Sequence, residues 1–121
     1  QQLVPVNSSK NLNTKNFDVI IPILHGTFGE DGTMQGLLEL ANVAYVGSGV
    51  VGSSVGMDKD MSRRLLAHDG IPVVETVVFR KSDFVANPSQ WINKCIDQLG
   101  LPFFIKPANS GSSVGVFKIK T

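Results

Sequence analysis

Residues 103 to 119, FFIKPANSGSSVGVFKI, constrain the fold of this chain more than any other stretch. An apolar strand pattern ends on Lys106, seven small or turn-forming residues follow, and a second strand pattern leads away. Such a run closes as a hairpin whose loop is almost bare backbone. Gly111 and Gly115 permit positive φ and a close approach to a ligand. Successive amides from Gly111 through Val114 to Gly115 can form a nest for anionic oxygens, with Ser112 and Ser113 adding hydroxyl donors. Lys106 supplies a point charge beside them, so the natural guest is a phosphate. A flexible hairpin with a surface lysine is the alternative. A Walker P-loop is excluded, because G-x-x-x-x-G-K-[ST] is absent and the loop runs into a strand, not a helix.

The remaining elements alternate. FDVIIPIL (17–24) is a continuous apolar run rich in β-branched residues, as expected of a strand covered on both faces. Met34, Leu37, Leu38 and Ala41 then repeat as one helix face, with Glu30 and Asp31 at its start, where the helix dipole favours acids. VAYVGSG (43–49) reads as a short strand. Residues 58–69 read as a helix stopped by Gly70 with Arg63 and Arg64 outward, and IPVVETVVF (71–79) as a strand. Asn87, Pro88 and Gly100 are the cap, first-turn and C-terminal signals of a helix whose apolar face is Trp91, Ile92, Cys95, Ile96 and Leu99. Residues 7–16 read as a polar loop or arm. The class is α/β. Its sheet reads as cut at both ends, beginning without a first strand and stopping just after one at KIKT.

Composition narrows the partners. Eleven Lys and Arg against ten Asp and Glu give a net charge of +1, which leaves no basic footprint for nucleic acid or an anionic membrane. No apolar run approaches the roughly 20 residues of a membrane span. The opening lacks the pattern of a signal peptide, so a cytoplasmic location is expected. The single cysteine, Cys95, excludes an internal disulfide and a Cys-rich metal site, and its place on an apolar helix face makes it core.

Two further stretches offer chemistry. In HGTFGEDG, His25 stands at the carboxyl end of a buried strand, where open α/β sheets bind ligands, and Glu30 is close enough in sequence to orient its imidazole. The plain alternative is a glycine turn with a solvated histidine. In GMDKDMSRRLL, Lys59 occupies the first turn of a helix, where the dipole disfavours it; either it has another task or it is simply solvated. His68, near the end of that helix, suits the dipole and is structural.

Taken together, VIIPILHGTFGEDGTMQGLLELANVAYVGSGV, MDKDMSRRLLAHDGIPV and FFIKPANSGSSVGVFKI resemble the D-alanine–D-alanine ligases of the ATP-grasp superfamily over residues 17 to 121. The HGxxGEDGxxQGLLEL and KPxxxGSSVG patterns are highly specific to that family and its D-alanine–D-lactate relatives. The resemblance implies the later part of a Rossmann-like N-terminal (pre-ATP-grasp) domain in residues 1–49, followed by the first lobe of an ATP-grasp domain in residues 50–121. It implies ATP, Mg²⁺ and D-alanine as reactants and ions, an acyl-phosphate intermediate, a peptidoglycan product and a homodimer. Lys59 and Lys106 would contact ATP phosphates. Gly111, Ser112, Ser113, Val114 and Gly115 would form a lid over the transferring phosphoryl group, Ser112 also joining the hydrogen bonds that close the substrate-side loops. His25 and Glu30 would lie on the D-alanine side. No metal ligand is expected here. The family's first strand, adenine-binding segment, substrate-binding arginine and acidic Mg²⁺ ligands have no counterpart in these residues, so no ligase activity is expected of the chain alone. Gly56 stands where the family more often has alanine or serine. A D-alanine–D-lactate ligase and a non-catalytic nucleotide-binding α/β module are the rival readings.

Overall fold

The computed structural model describes residues 17–121, so the expected polar loop at 7–16 lies outside the described residues. Five helices and a two-stranded sheet follow one another: α1 (Thr33–Leu40), α2 (Val50–Met57), α3 (Lys59–His68), α4 (Lys81–Ala86), α5 (Pro88–Leu99), β1 (Phe103–Ile105) and β2 (Phe117–Ile119). The chain is α/β, and among the described residues no helix is long and apolar enough to cross a membrane.

The apolar run at 17–24 meets the segment after α1 in one parallel bridge, Ile20 to Tyr45. The Ile20 amide donates to Ala44 O at 2.8 Å and the Val46 amide to Ile20 O at 3.0 Å. Two parallel segments joined through a helix form the crossover that parallel pairing requires. The expected cover on both faces is missing among the described residues, where Ile23 is 80% exposed. An all-apolar strand needs cover above and below it, and here its pairing is a single bridge.

In α1 the inward face is narrower than the expected one. Leu38 is 3% exposed, whereas Leu37 is 54% exposed and Ala41 lies beyond the last turn. Gln35, one turn before Leu38, takes the second inward position, and its Nε2 donates to Gly29 O at 3.2 Å. Helix α2 was not foreseen: VVGSSVGM carries two glycines, each costing about 1 kcal/mol against alanine. Packing between α1 and α3 supplies what propensity lacks, and Ser54 Oγ donates to Asp31 O at 2.8 Å.

Asp58 caps α3, accepting from the amides of Asp60 (2.9 Å) and Met61 (3.0 Å). At its other end Gly70, at φ 75°, donates to Ala67 O, and Ile71 donates to Leu66 O, the paired bonds of a Schellman motif. Arg64 pairs with Asp60 at 2.8 Å. Arg63, expected outward with Arg64, is half-buried, and its Nη1 donates to the exposed Thr76 Oγ1 at 3.0 Å. Residues 71–79 form no ladder, contrary to the strand expected there, since among the described residues no backbone pairs with them. Phe79 is held by its ring instead, stacked on Phe84 at 5.5 Å and tilted on Trp91 at 5.3 Å. The short α4, also unforeseen, starts where the Arg80 amide donates to Asp83 Oδ2.

Helix α5 follows its sequence signals. Asn87 Oδ1 accepts from the Gln90 amide at 3.2 Å, Pro88 opens the helix, and Gly100 closes it at φ 66°. On its inward stripe Cys95 is buried and Trp91 and Leu99 are half-buried, whereas Ile92 and Ile96, expected on the same face, are exposed. Burial pushes the Cys95 thiol pKa up, as suits a core residue. The hairpin closes the described chain, β1 and β2 running antiparallel with Phe104 opposite Lys118 and Ile105 opposite Phe117.

Candidate functional site

Three segments distant in sequence converge: the 25–32 turn, the junction of α2 and α3, and the hairpin loop at 107–115. The contact is close at Gly111. A β-carbon there would stand 3.2 Å from Gly26 Cα, 3.5 Å from Met57 Cε and 3.7 Å from Glu30 Oε2. The sequence suggested that Gly111 is needed for positive φ; the structure assigns it a different need, since its contacts leave little room for a side chain. The left-handed conformation falls instead on Ser112 (φ 50°), Ser113 (φ 59°) and Gly115 (φ 70°).

The loop itself is a tight turn. The Val114 amide donates to Gly111 O at 3.1 Å, and the two residues between them are the left-handed serines. Two positive φ values at the centre of such a turn are the mark of type I′, usually filled by Gly, Asn or Asp. Serine there costs about 1–2 kcal/mol per residue, strain of the kind that gathers at ligand clamps. Among the described residues, the amides of Ser112, Ser113 and Gly115 donate to no acceptor. Both serines and Val114 are exposed. Gly115 packs on the Pro107 ring, where a β-carbon would come within 2.9 Å of Cγ.

Lys59 and Lys106 line one cleft of about 470 Å³, together with Arg63, Phe104 and the extended residues 74–79. Their situations differ. Lys106 is exposed at the end of β1, with Nζ 5.7 Å from the centre of the Phe104 ring; Lys118, across the ladder, lies 5.8 Å from the same ring. Lys59 is engaged with the loop. Its amide donates to Ala108 O at 3.1 Å, and its Nζ donates to Ser110 O at 2.6 Å and Ala108 O at 3.4 Å.

The 25–32 turn is closed on itself. Glu30 accepts from the Gly26 amide, not from the imidazole that its position suggested it would orient. Asp31 accepts from the amides of Phe28 (2.8 Å) and Thr33 (3.0 Å). These bonds, the Phe28 amide first, hold its carboxyl below the usual carboxylate range. His25 is exposed and makes no hydrogen bond among the described residues. Gln35 was missed as a site-supporting residue; a polar side chain on the inward face of an apolar helix was the available signal. A second cleft, also about 470 Å³, opens between this turn, α2, α3 and Asn109 of the loop.

The backbone superposes on the D-alanine–D-alanine ligase of Coxiella burnetii with a TM-score of 0.75 at 41% identity, over 86% of this chain and 30% of that one. A D-Ala:D-Ser ligase from Enterococcus faecalis gives 0.72 at 38%, over 86% and 29%. The family described as D-ala D-ala ligase N-terminus matches residues 2–48, and the one described as D-ala D-ala ligase C-terminus matches residues 65–121. The chain belongs to the D-alanine–D-alanine ligase family. It is 49% identical over 119 residues to the D-alanine–D-alanine ligase of Oceanobacillus iheyensis, which spans 98% of this chain and 31% of the relative. Identity is 53% over 104 residues to ligase A of Bradyrhizobium diazoefficiens, 86% of this chain and 28% of that protein. The chain therefore spans about a third of the length of the curated relatives it matches.

Proposed function

We propose that this chain is the part of an ATP-dependent D-alanine–D-alanine ligase that grips the triphosphate and flanks the first D-alanine. The observation that carries the reading is the hairpin loop, whose amides at Ser112, Ser113 and Gly115 have no described acceptor and whose residues Lys106 and Ala108 line a cleft together with Lys59. In the reaction, a carboxylate oxygen of one D-alanine attacks the γ-phosphorus and ADP leaves. The amine of a second D-alanine then attacks the acyl carbon, expelling phosphate and losing a proton as the peptide bond forms. Phosphoryl transfer asks the protein for positioning and charge stabilisation more than covalent help. Lys106 and the loop amides meet that need, and Ser112 and Ser113 add donors at the same place. A loop of amides closed over the acyl phosphate also excludes water, which would hydrolyse it. His25 stands on the substrate side, with Glu30 shaping the turn that presents it.

The acidic Mg²⁺ ligands are placed outside this chain, as the resemblance implies. The division at 49/50 into a Rossmann-like domain and an ATP-grasp lobe is part of the proposal. It is supported by the parallel Ile20–Tyr45 bridge on one side and the antiparallel hairpin on the other. A cytoplasmic homodimer making a peptidoglycan precursor completes the reading. The likeness to a D-Ala:D-Ser ligase favours a second reading of the acceptor only: the other substrate could be D-serine.

The test is calorimetric titration of the full-length protein with a non-hydrolysable ATP analogue and Mg²⁺, with and without Lys106→Ala. Loss of one phosphate contact should weaken binding by about tenfold or more. Equal affinity in the two proteins would refute the assignment of Lys106. Phosphate release with D-alanine, D-serine or D-lactate as acceptor decides the second substrate.

A further inference from the structure

We propose that Lys59 is a positioning residue that anchors the hairpin loop, and that it does so before any nucleotide arrives. Three hydrogen bonds tie this one residue to two carbonyls of the loop, one from its amide and two from its ammonium. The ammonium bond to Ser110 O is short, and it is partly buried, where a charge-assisted bond counts for more than on the open surface. An ammonium has three donors; two already point at Ala108 O and Ser110 O, leaving one for an anion.

The anchor sits immediately before the turn. Ser110 precedes Gly111, whose Cα is fixed against Gly26, and the left-handed serines follow. Strained residues persist only where their surroundings hold them. Lys59 provides that hold from one side and the Gly26–Gly111 contact from the other. The location of Lys59 at the first position of α3 then has a reason. The dipole mildly disfavours a cation there, and the Asp58 cap and the loop carbonyls offset it. The proposed function supplies the purpose of the loop, and the inference rests on it for that alone; the anchoring stands or falls without nucleotide.

The experiment is amide hydrogen exchange at Val114 and Val116, the loop amides that have acceptors, in nucleotide-free protein, comparing wild type with Lys59→Met and Lys59→Arg. Loss of charge-assisted bonds of this kind should speed exchange of the loop by about tenfold in Lys59→Met, with α5 unchanged and Lys59→Arg restoring most of the protection. Unchanged loop exchange in Lys59→Met would overturn the proposal. Should that variant lose its fold, seen as faster exchange in α5, wild-type protein decides the matter by amine acetylation. Lys59 must react several-fold more slowly than the exposed Lys81, and equal rates would overturn the anchor. A protected loop that binds no ATP analogue would leave the anchor standing and remove the proposed function.

Discussion

The two glycine-rich turns of the site have opposite characters. In HGTFGEDG the polar groups serve the turn itself: Glu30 accepts from Gly26, Asp31 from Phe28 and Thr33, and Gln35 donates to Gly29. In PANSGSSVG the anchors lie at one end, and the tip keeps three amides without a described acceptor and two serines in left-handed backbone. The first turn is bonded chiefly to itself, although Phe28 there is also left-handed, at φ 69°, and the Thr27, Asp31 and Gly32 amides have no described acceptor. The second differs in placing two adjacent left-handed serines and its unused donors together at an exposed tip, the combination expected where a ligand completes the hydrogen bonding. Similar composition thus yields a scaffold in one place and a candidate clamp in the other.

Mutating the scaffold should have the larger effect on stability. Gly32, at φ 93°, has no room for a β-carbon, which would meet Ser54 Oγ and stand 2.8 Å from Val50 O. Gly32→Ala should cost about 3–4 kcal/mol, left-handed strain adding to overpacking, read as a drop in the urea midpoint. Next comes Leu38→Ala, at the most buried apolar side chain described, with a loss of about 2–3 kcal/mol by the same measurement.

The clamp should respond in the other direction. Ser113→Gly removes a left-handed serine, and after the added freedom of the unfolded glycine it should stabilise the protein by roughly 0–1 kcal/mol. The same substitution should weaken binding of the ATP analogue, since a hydroxyl donor is lost and the loop is freed. A clear destabilisation by Ser113→Gly would mean that the two turns are both scaffold, and the contrast would fail.

The smallest effect concerns pH. Asp31 has a folded pKa lowered below its ordinary 3.8, by the Phe28 amide above all. Its contribution to stability is therefore present above the ordinary value and lost as pH falls through the lowered one. Urea midpoints of wild type should decline through that acidic window, and Asp31→Asn should flatten the decline by lowering the midpoint above it. An equal slope in both proteins would remove Asp31 from the scaffold.

The sequence revealed what depends on neighbours along the chain. Asn87, Pro88 and Gly100 act within a turn of themselves, so α5 could be read to the residue. The hairpin was legible for the same reason. Helix α2 was not, because VVGSSVGM has weak propensity and forms through contacts with α1 and α3. The run at 17–24 announced burial, but the element that would cover it cannot be read from the run itself. Among the site residues, position was legible and partners were not. Glu30 turned to a backbone amide four residues away, Gly111 proved to be about contact instead of φ, and Lys59 found carbonyls some fifty residues on. Each of those outcomes is set by three-dimensional proximity that spacing does not encode.

The most direct test of the central claim is backbone NMR of the isotope-labelled full-length protein, titrated with a non-hydrolysable ATP analogue and Mg²⁺. The amide resonances of Ser112, Ser113 and Gly115 should move together and downfield, with those of residues 26–32 shifting little. Stationary loop amides, with the nucleotide-induced shifts confined to other segments, would contradict the account.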